Sequence, residues 1–270
     1  MALLLTQFLY RLSFGMAAAM AITPPKQVTS GYYRNNLYVL LGLNALAAIV
    51  AWGGATAASI GPFPRLPATL AAVLCYFGAA CWLYEKPRAG IAALVAVSVV
   101  SLYGALATTP LPVVSGSVIP YAEKGLLAYA GVVTSGLLLG TTMAAMLLGH
   151  WYLNAPGMRI KPLVRLTTAM GVVLFAQSIV SGTGLAVVLL GQVFAASSGY
   201  DTLGTAQQFM LALRWLAGIF GTAGLIWMTV VTLEIPNTQA ATGMLYVAVI
   251  TTFLGELIGQ LLSSGSLYPL

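Results

Sequence analysis

The chain has 270 residues, of which 60% are hydrophobic and only 6% are charged. A soluble globular protein carries about 25% charged residues, so this composition excludes a soluble domain, a disordered tail and a nucleic-acid-binding module. The formal net charge of +6 comes from short basic segments between apolar stretches, as the positive-inside rule predicts for a membrane protein.

Eight apolar stretches follow one another along the chain, and each is long enough to cross about 30 Å of hydrocarbon as a helix. In chain order they cover residues 2–22, 37–61, 66–84, 89–108, 125–149, 163–190, 206–232 and 239–262. They are continuous rather than alternating, which excludes a membrane β-barrel. The sequence therefore predicts an all-α polytopic membrane protein with a single transmembrane domain over residues 1–270. Ser181-Gly182-Thr183-Gly184 also predicts a bend near the end of the sixth stretch.

The cations between the stretches are unevenly distributed. One side of the predicted bundle carries only Arg65 and Lys124, whereas the other carries Lys26, Arg34, Lys86, Arg88, Arg159, Lys161 and Arg165. Because short cytoplasmic loops are enriched in Lys and Arg, we expect the more basic side to face the cytoplasm and both termini to lie outside it. A bacterial inner membrane fits this arrangement.

The two halves of the chain, residues 1–108 and 121–270, share local patterns. Gly15-Met16-Ala17-Ala18-Ala19-Met20 resembles the segment that begins at Gly140, and Glu85-Lys86-Pro87 resembles Glu234-Ile235-Pro236. These similarities predict a four-plus-four internal repeat, with a ligand site between the halves. Chance similarity between alanine-rich helices is the alternative explanation.

Small residues mark two helix faces at a spacing of four. The fifth stretch carries Gly136 and Gly140, and the eighth carries a ridge at Thr251, Gly255, Gly259 and Ser263. Small residues at this spacing let helix backbones approach closely in a membrane. The sequence leaves open whether these faces are used within the chain or between subunits.

Three ionisable residues, Arg11, Arg214 and Glu256, lie well inside the predicted spans. A charge inside the membrane is costly, so each should face the protein interior or a polar cavity. For Arg11 the alternatives are that it snorkels outward, bonds to carbonyl groups, shares Glu256, or meets an anionic head group or a partner's carboxylate. Arg214 and Glu256 are each 18 residues from the more basic end of their helices, at equal depths of about 27 Å, which predicts an ion pair between them. The pair either fixes helix register alone or belongs to a polar site that includes Gln177, with Tyr103 lining the same cavity.

His150 is the only histidine and lies in Gly149-His150-Trp151-Tyr152, next to the basic segment. Such a position is typical of the aromatic belt at the membrane interface. The alternative is that His150 donates a hydrogen bond to a quinone or is one axial ligand of a haem shared with a partner chain. The sequence predicts no metal site or cofactor of the chain's own, and Cys75 and Cys81 lie on different helix faces, which excludes a disulfide between them.

Three functions follow as hypotheses. The first is a membrane subunit of a larger, respiratory or electron-transfer complex, which binds lipid and other membrane subunits, has no catalytic activity of its own, and binds quinone near Arg11, Gln177, Arg214 and Glu256 or near His150. The second is a transporter of a small anion or proton-coupled solute, with Glu256 as the coupling carboxylate. A membrane enzyme for lipid or prenyl substrates has the least support, because the loops contain no paired aspartate motif for Mg²⁺.

Overall fold

All eight predicted stretches form helices in the computed structural model, which describes residues 2–53, 65–109, 121–155, 157–195, 204–235, 237–264 and 269. The helices are α1 (Ala2–Ile22), α2 (Ser30–Trp52), α3 (Leu66–Leu83), α4 (Pro87–Ala107), α5 (Tyr121–Asn154), α6 (Lys161–Ala195), α7 (Thr205–Glu234) and α8 (Thr238–Ser264). Each is long and apolar enough to cross a membrane. The protein is therefore an all-α, multi-pass membrane protein, as the sequence predicts.

The second helix begins earlier than its hydropathy suggests. Thr29 has extended backbone angles and is followed by α2 from Ser30, so the polar residues Arg34 and Asn36 lie in the first two turns. Hydropathy marks only the apolar part of a helix, and polar residues at its membrane-interface end continue the same backbone hydrogen bonding. The end predicted at residue 61 lies outside the described residues, as do most of residues 109–124 and 191–205, which lie between predicted stretches.

The helices form two rings of four. In the first ring α1 packs on α2, α2 on α3, α3 on α4, and α4 returns to α1; in the second, α5, α6, α7 and α8 pack in the same cyclic order. The two rings meet mainly where α1 packs against α5. Accordingly, 78% of the membrane-spanning window of α1 and 72% of that of α5 are buried, against 50% or less for the other helices.

Glycines allow α1 and α5 to meet backbone to backbone. A Cβ atom built on Gly15 would lie 1.7 Å from the carbonyl oxygen of Gly136, and one built on Gly140 would lie 1.9 Å from the carbonyl carbon of Gly15. The small-residue face of α5 is therefore used inside the chain. It sets the distance between the two rings.

The irregular backbone is in α7, whereas the sequence predicted it in α6. Helix α6 continues without a break through Ser181 and Gly182, and the bend predicted there stays a prediction. Thr183 donates a hydrogen bond to the Ile179 carbonyl at 2.8 Å, which leaves the helix intact. In α7, by contrast, the segment Arg214–Gly221 is π-helical, a rare conformation that occurs often at functional sites.

The seven cations of the more basic side lie at one end of the bundle, where α1, α3, α5 and α7 end. We call this the basic end. At the start of α2, Thr29 accepts a hydrogen bond from the Trp151 indole at 2.8 Å. Deeper in the first ring, the Tyr33 and Trp82 rings stack with centroids 4.0 Å apart. These aromatic contacts tie the start of α2 to the ends of α3 and α5 at the basic end.

Candidate functional site: a buried polar cluster

Three of the five predicted site residues are buried in the interior, and a fourth, Arg11, is half-buried and reaches them from α1. Arg11, Gln177, Arg214 and Glu256 belong to one cluster, which is centred in the second ring and joined by Arg11 from α1. Three hydroxyl residues complete what we call the polar cluster: Thr134, Ser135 and Ser181. Gln177, Arg214 and Glu256 are each 5% exposed or less.

Glu256 is held by a chain of hydrogen bonds across the second ring. Both carboxylate oxygens accept from the Gln177 amide nitrogen, at 3.1 and 3.4 Å. The Gln177 amide oxygen in turn accepts from the Thr134 hydroxyl. One amide group supplies few hydrogen-bond donors for a buried carboxylate, which can accept about four hydrogen bonds. Among the described residues, the Gln177 amide is the hydrogen-bond donor to this carboxylate.

Arg214 donates its hydrogen bond to Ser181, at 2.6 Å, rather than to Glu256. Its guanidinium group also lies against α8, because a Cβ atom built on Gly259 would be 2.2 Å from Nη1. The charges of Arg214 and Glu256 still attract each other within the cluster. Arg214 and Glu256 thus lie in one site, but they bond to separate partners, Ser181 and Gln177, instead of forming the direct ion pair that the sequence predicts.

The register of α7 and α8 explains this separation. The two backbones approach most closely where Gly218 meets Gly255, since a Cβ on Gly218 would lie 2.6 Å from the Gly255 Cα. This contact puts Arg214 beside Gly259, about 4.5 Å farther along the α8 axis than Glu256. Helical side chains lean toward their own N-terminus, and α7 and α8 run in opposite directions, so the two side chains lean apart.

Arg11 reaches the cluster from α1. Its Nη1 donates to the Ser135 hydroxyl at 3.3 Å, while its Nε is buried without a hydrogen-bond partner among the described residues. The Glu256 charge attracts Arg11 and the Arg214 charge repels it. Because α1 and α8 are antiparallel, with Phe8 and Phe253 in edge contact at 5.4 Å, the N-terminal lean of both helices directs Arg11 and Glu256 toward each other.

The polar cluster has more cations than anions. Two guanidinium groups and one carboxylate interact with one another inside it, which leaves an excess of one positive charge when all three are ionised. An uncompensated buried charge is expensive, whereas buried charges are normally paired. The described part of the cluster therefore has the electrostatics of an anion site.

The fifth predicted site residue, His150, lies elsewhere, as does Tyr103, which the sequence predicted to line the same cavity. His150 is at the basic end, where its Nδ1 is 2.9 Å from the Tyr246 hydroxyl, and Tyr246 is ten residues, or about 15 Å, from Glu256 along α8. Tyr103 is 54% exposed and lines an apolar groove of about 400 Å³ between α3 and α4 with Leu70 and Val99. Neither side chain belongs to the polar cluster.

The described residues were also compared with the requirements of a metal site and of a disulfide. Within the described ranges, no group of three His, Cys, Asp or Glu side chains could hold a metal ion. Cys75 and Cys81 are free thiols, as their spacing predicted.

Sequence reasoning missed Thr134, Ser135, Ser181 and Gln260. The signal that could have found two of them is the helical spacing of four: Ser181 follows Gln177 on α6, and Gln260 follows Glu256 on α8. Isolated hydroxyl residues in apolar helices carry no such signal, because most of them bond to their own helix. Thr142 and Thr167 do so in this structure.

The glycine at position 259 gives a direct test of how Arg214 is positioned. Alanine at Gly259 should push the guanidinium group off α8 and break its bond to Ser181, which would cost about 1.5–3 kcal/mol for a charge-assisted hydrogen bond. Thermal unfolding in detergent measures the loss. Gly243→Ala is the matched control, because a Cβ there meets nothing within 4 Å on the same helix. Equal melting of the two variants would contradict the placement of Arg214.

No family model, curated protein or solved structure matches this chain. The described residues define the class of protein, an all-α, multi-pass membrane protein with eight membrane-long helices in those ranges and a buried polar cluster.

Proposed function

We propose that the protein is a proton-coupled transporter of a small anion, with Glu256 as the coupling carboxylate. The observation that carries this proposal is the excess of one positive charge among Arg11, Arg214 and Glu256 in the buried cluster. An anion would compensate that charge. Intramembrane ionisable residues commonly mark ion pathways and proton relays.

Coupling follows from the charge balance. Protonation of Glu256 would raise the net charge of the polar cluster from about +1 to +2 and so raise its affinity for an anion. By thermodynamic reciprocity, a bound anion would favour protonation of Glu256 to the same extent. The charged groups that face Glu256 are Arg11 from α1 and Arg214 from α7, while α5 and α6 present uncharged Thr134, Ser135, Gln177 and Ser181.

The small-residue faces favour a transporter over an anchoring subunit. Gly255 and Gly259 meet Gly218 and Arg214 of α7, and the Thr251 hydroxyl is 2.9 Å from that of Thr222. Gly136 and Gly140 meet α1. Both faces are thus used within the chain, so they no longer support contact with a partner subunit.

Flux into proteoliposomes tests the proposal. With radiolabelled chloride, pyruvate and glycolate as probes, an inward proton gradient should accelerate uptake of at least one anion above empty liposomes, and Glu256→Gln should abolish that acceleration. Glu256→Asp should retain part of it. Glu234→Gln, an exposed change at the basic end of α7, is the control and should behave like the wild type. If none of the probes enters faster under the gradient, the proposal is wrong.

The second candidate is a membrane subunit of a respiratory or electron-transfer complex. One observation favours it: Arg11 is only partly buried and its Nε has no partner among the described residues, so a partner's carboxylate or a quinone carbonyl could complete its bonding. Purification from native membranes distinguishes the transporter from the complex subunit. A stoichiometric partner chain or bound quinone would support the subunit, whereas isolation of the chain alone would oppose it.

We propose that the basic end faces the cytoplasm, with both termini on the other side of a bacterial inner membrane. Six of the seven cations there are exposed, as head-group contact requires. Cysteine accessibility measures this orientation. A cysteine introduced at Lys161 should react with an impermeant maleimide only after the cells are opened.

A further inference from the structure

Gln260 is the least satisfied polar side chain near the polar cluster. It is 4% exposed, and neither its amide nitrogen nor its amide oxygen has a hydrogen-bond partner among the described residues. A buried amide without partners is unfavourable, because folding has removed its bonds to water without replacing them. An unpaired donor and an unpaired acceptor therefore lie side by side in the interior.

The position of Gln260 follows from the helices around it. Gln177 and Glu256 are bonded across the second ring, and α6 and α8 run in the same direction. Four residues farther along these helices lie Ser181 and Gln260, about 6 Å nearer the end opposite the basic end. Arg214 enters at this level, since it bonds to Ser181 and lies against Gly259. Ser181, Arg214 and Gln260 form what we call the outer level of the site.

Pro269 lies beside α5 and α6 near this level. A Cβ atom on Gly184 of α6 would lie 1.9 Å from the Pro269 carbonyl oxygen, and one on Gly131 of α5 would lie 3.1 Å from the Pro269 Cβ. Gly131 precedes Ser135 by one helical turn and Gly184 follows Ser181 by about one turn, so Pro269 lies beyond the outer level. The outer level is thus bounded by Glu256 on one side and by Pro269 on the other.

We propose that the outer level is the substrate subsite and that it takes a small monocarboxylate with a hydroxyl group beside the carboxylate. This inference rests on the proposed function and names its substrate class. The planar guanidinium group of Arg214 matches a carboxylate. The excess of one positive charge matches a monoanion. A hydroxyl is both donor and acceptor, so it can satisfy the two unpaired atoms of Gln260 at once.

Isothermal titration calorimetry of the full chain in detergent tests the subsite with two probes, glycolate and acetate, which differ by one hydroxyl. The wild type should bind glycolate about tenfold more tightly than acetate. This ratio of affinities corresponds to the free energy of one or two neutral hydrogen bonds. Gln260→Leu should lower glycolate affinity to that of acetate and leave acetate unchanged. Arg214→Gln should weaken both about 10- to 100-fold. Gln239→Leu, an exposed position on the same helix, is the matched control.

The possible outcomes separate this inference from the proposed function. Equal affinities in the wild type, or a glycolate preference that survives Gln260→Leu, would overturn the subsite, even if chloride or pyruvate is transported. Glycolate binding that depends on Gln260, without any transport, would support the subsite and contradict the transporter. Failure of both probes to bind would overturn the inference directly.

Discussion

Alanine at Gly140 should separate α1 from α5 and destabilise the whole protein. The added Cβ would lie 1.9 Å from the Gly15 carbonyl carbon and 2.0 Å from the Met16 nitrogen, and backbone atoms cannot move aside as a flexible side chain can. Overpacking of a core costs about 1–3 kcal/mol, and this contact should reach at least the upper end because both neighbours are backbone. Thermal unfolding and size-exclusion profiles in detergent measure the effect.

The matched control is Gly42→Ala on α2, where a Cβ atom meets nothing within 4 Å. That change should preserve stability or add up to about 1 kcal/mol, because alanine has the higher helix propensity. If Gly140→Ala melts like Gly42→Ala, α1 and α5 do not pack as described and the arrangement of the two rings is wrong.

Glutamine at Glu256 should destabilise the protein more than glutamine at Arg214. Glu256→Gln leaves two guanidinium groups in the polar cluster with no anion, and removing one partner of a buried charge pair costs roughly 3–5 kcal/mol. Arg214→Gln leaves Arg11 and Glu256 as a balanced pair, and the loss of the Ser181 bond is partly offset by relief of repulsion between the cations. Urea or thermal unfolding in detergent ranks the variants.

A double variant supplies the internal control. Arg11→Gln combined with Glu256→Gln returns the cluster to one charge, so it should recover part of the stability lost in Glu256→Gln alone. Two equally unstable variants would show that the loss comes from packing rather than charge. Removal of Arg214 alone still leaves Arg11 as a cation whose charge attracts Glu256.

Helix positions were predictable because membrane thickness fixes the length of an apolar stretch. The span Ala2–Ile22 matches its prediction at both ends, and most other bounds differ by only a few residues. The sequence also allowed us to predict that four polar residues lie near one another, since polar groups inside a membrane face the bundle interior and pair there. These residues are Arg11, Gln177, Arg214 and Glu256. The separate hydrogen bonds of Arg214 and Glu256 were not predictable, because they depend on the register that Gly218 and Gly255 set between α7 and α8.

The spacing of residues along the sequence does not predict which individual side chains contact each other. Counting from helix ends placed Arg214 level with Glu256, whereas the register offsets them by about 4.5 Å. The His150 proposal depended on composition alone, and its Tyr246 partner is far from the cluster. The spacing of four could have found Ser181 and Gln260, but not that they lie at one level, because their helices are opposite members of the second ring and share no extensive interface.

The internal repeat stays a prediction, but the packing supports it. Residues related by a two-fold axis touch each other only where they lie on the axis. Gly15 and Gly140 are the positions that the sequence comparison aligned, and they are in direct contact between two four-helix rings of the same cyclic order. The polar cluster nevertheless lies mainly in the second ring, with Arg11 as the contribution of the first. The polar cluster is therefore not centred on the axis between the two halves, where the sequence predicted a ligand site.

Proton uptake on anion binding tests the central claim most directly, namely that Arg11, Arg214 and Glu256 form one site in which a proton and an anion compensate each other. Calorimetric titrations with glycolate, repeated in buffers of different ionisation enthalpy between pH 5 and 8, count the protons taken up per anion bound. We predict an uptake of up to one proton that varies with pH in the wild type and is absent in Glu256→Gln. Glycolate binding without proton uptake throughout this range, or with the same uptake in Glu256→Gln, would contradict the account.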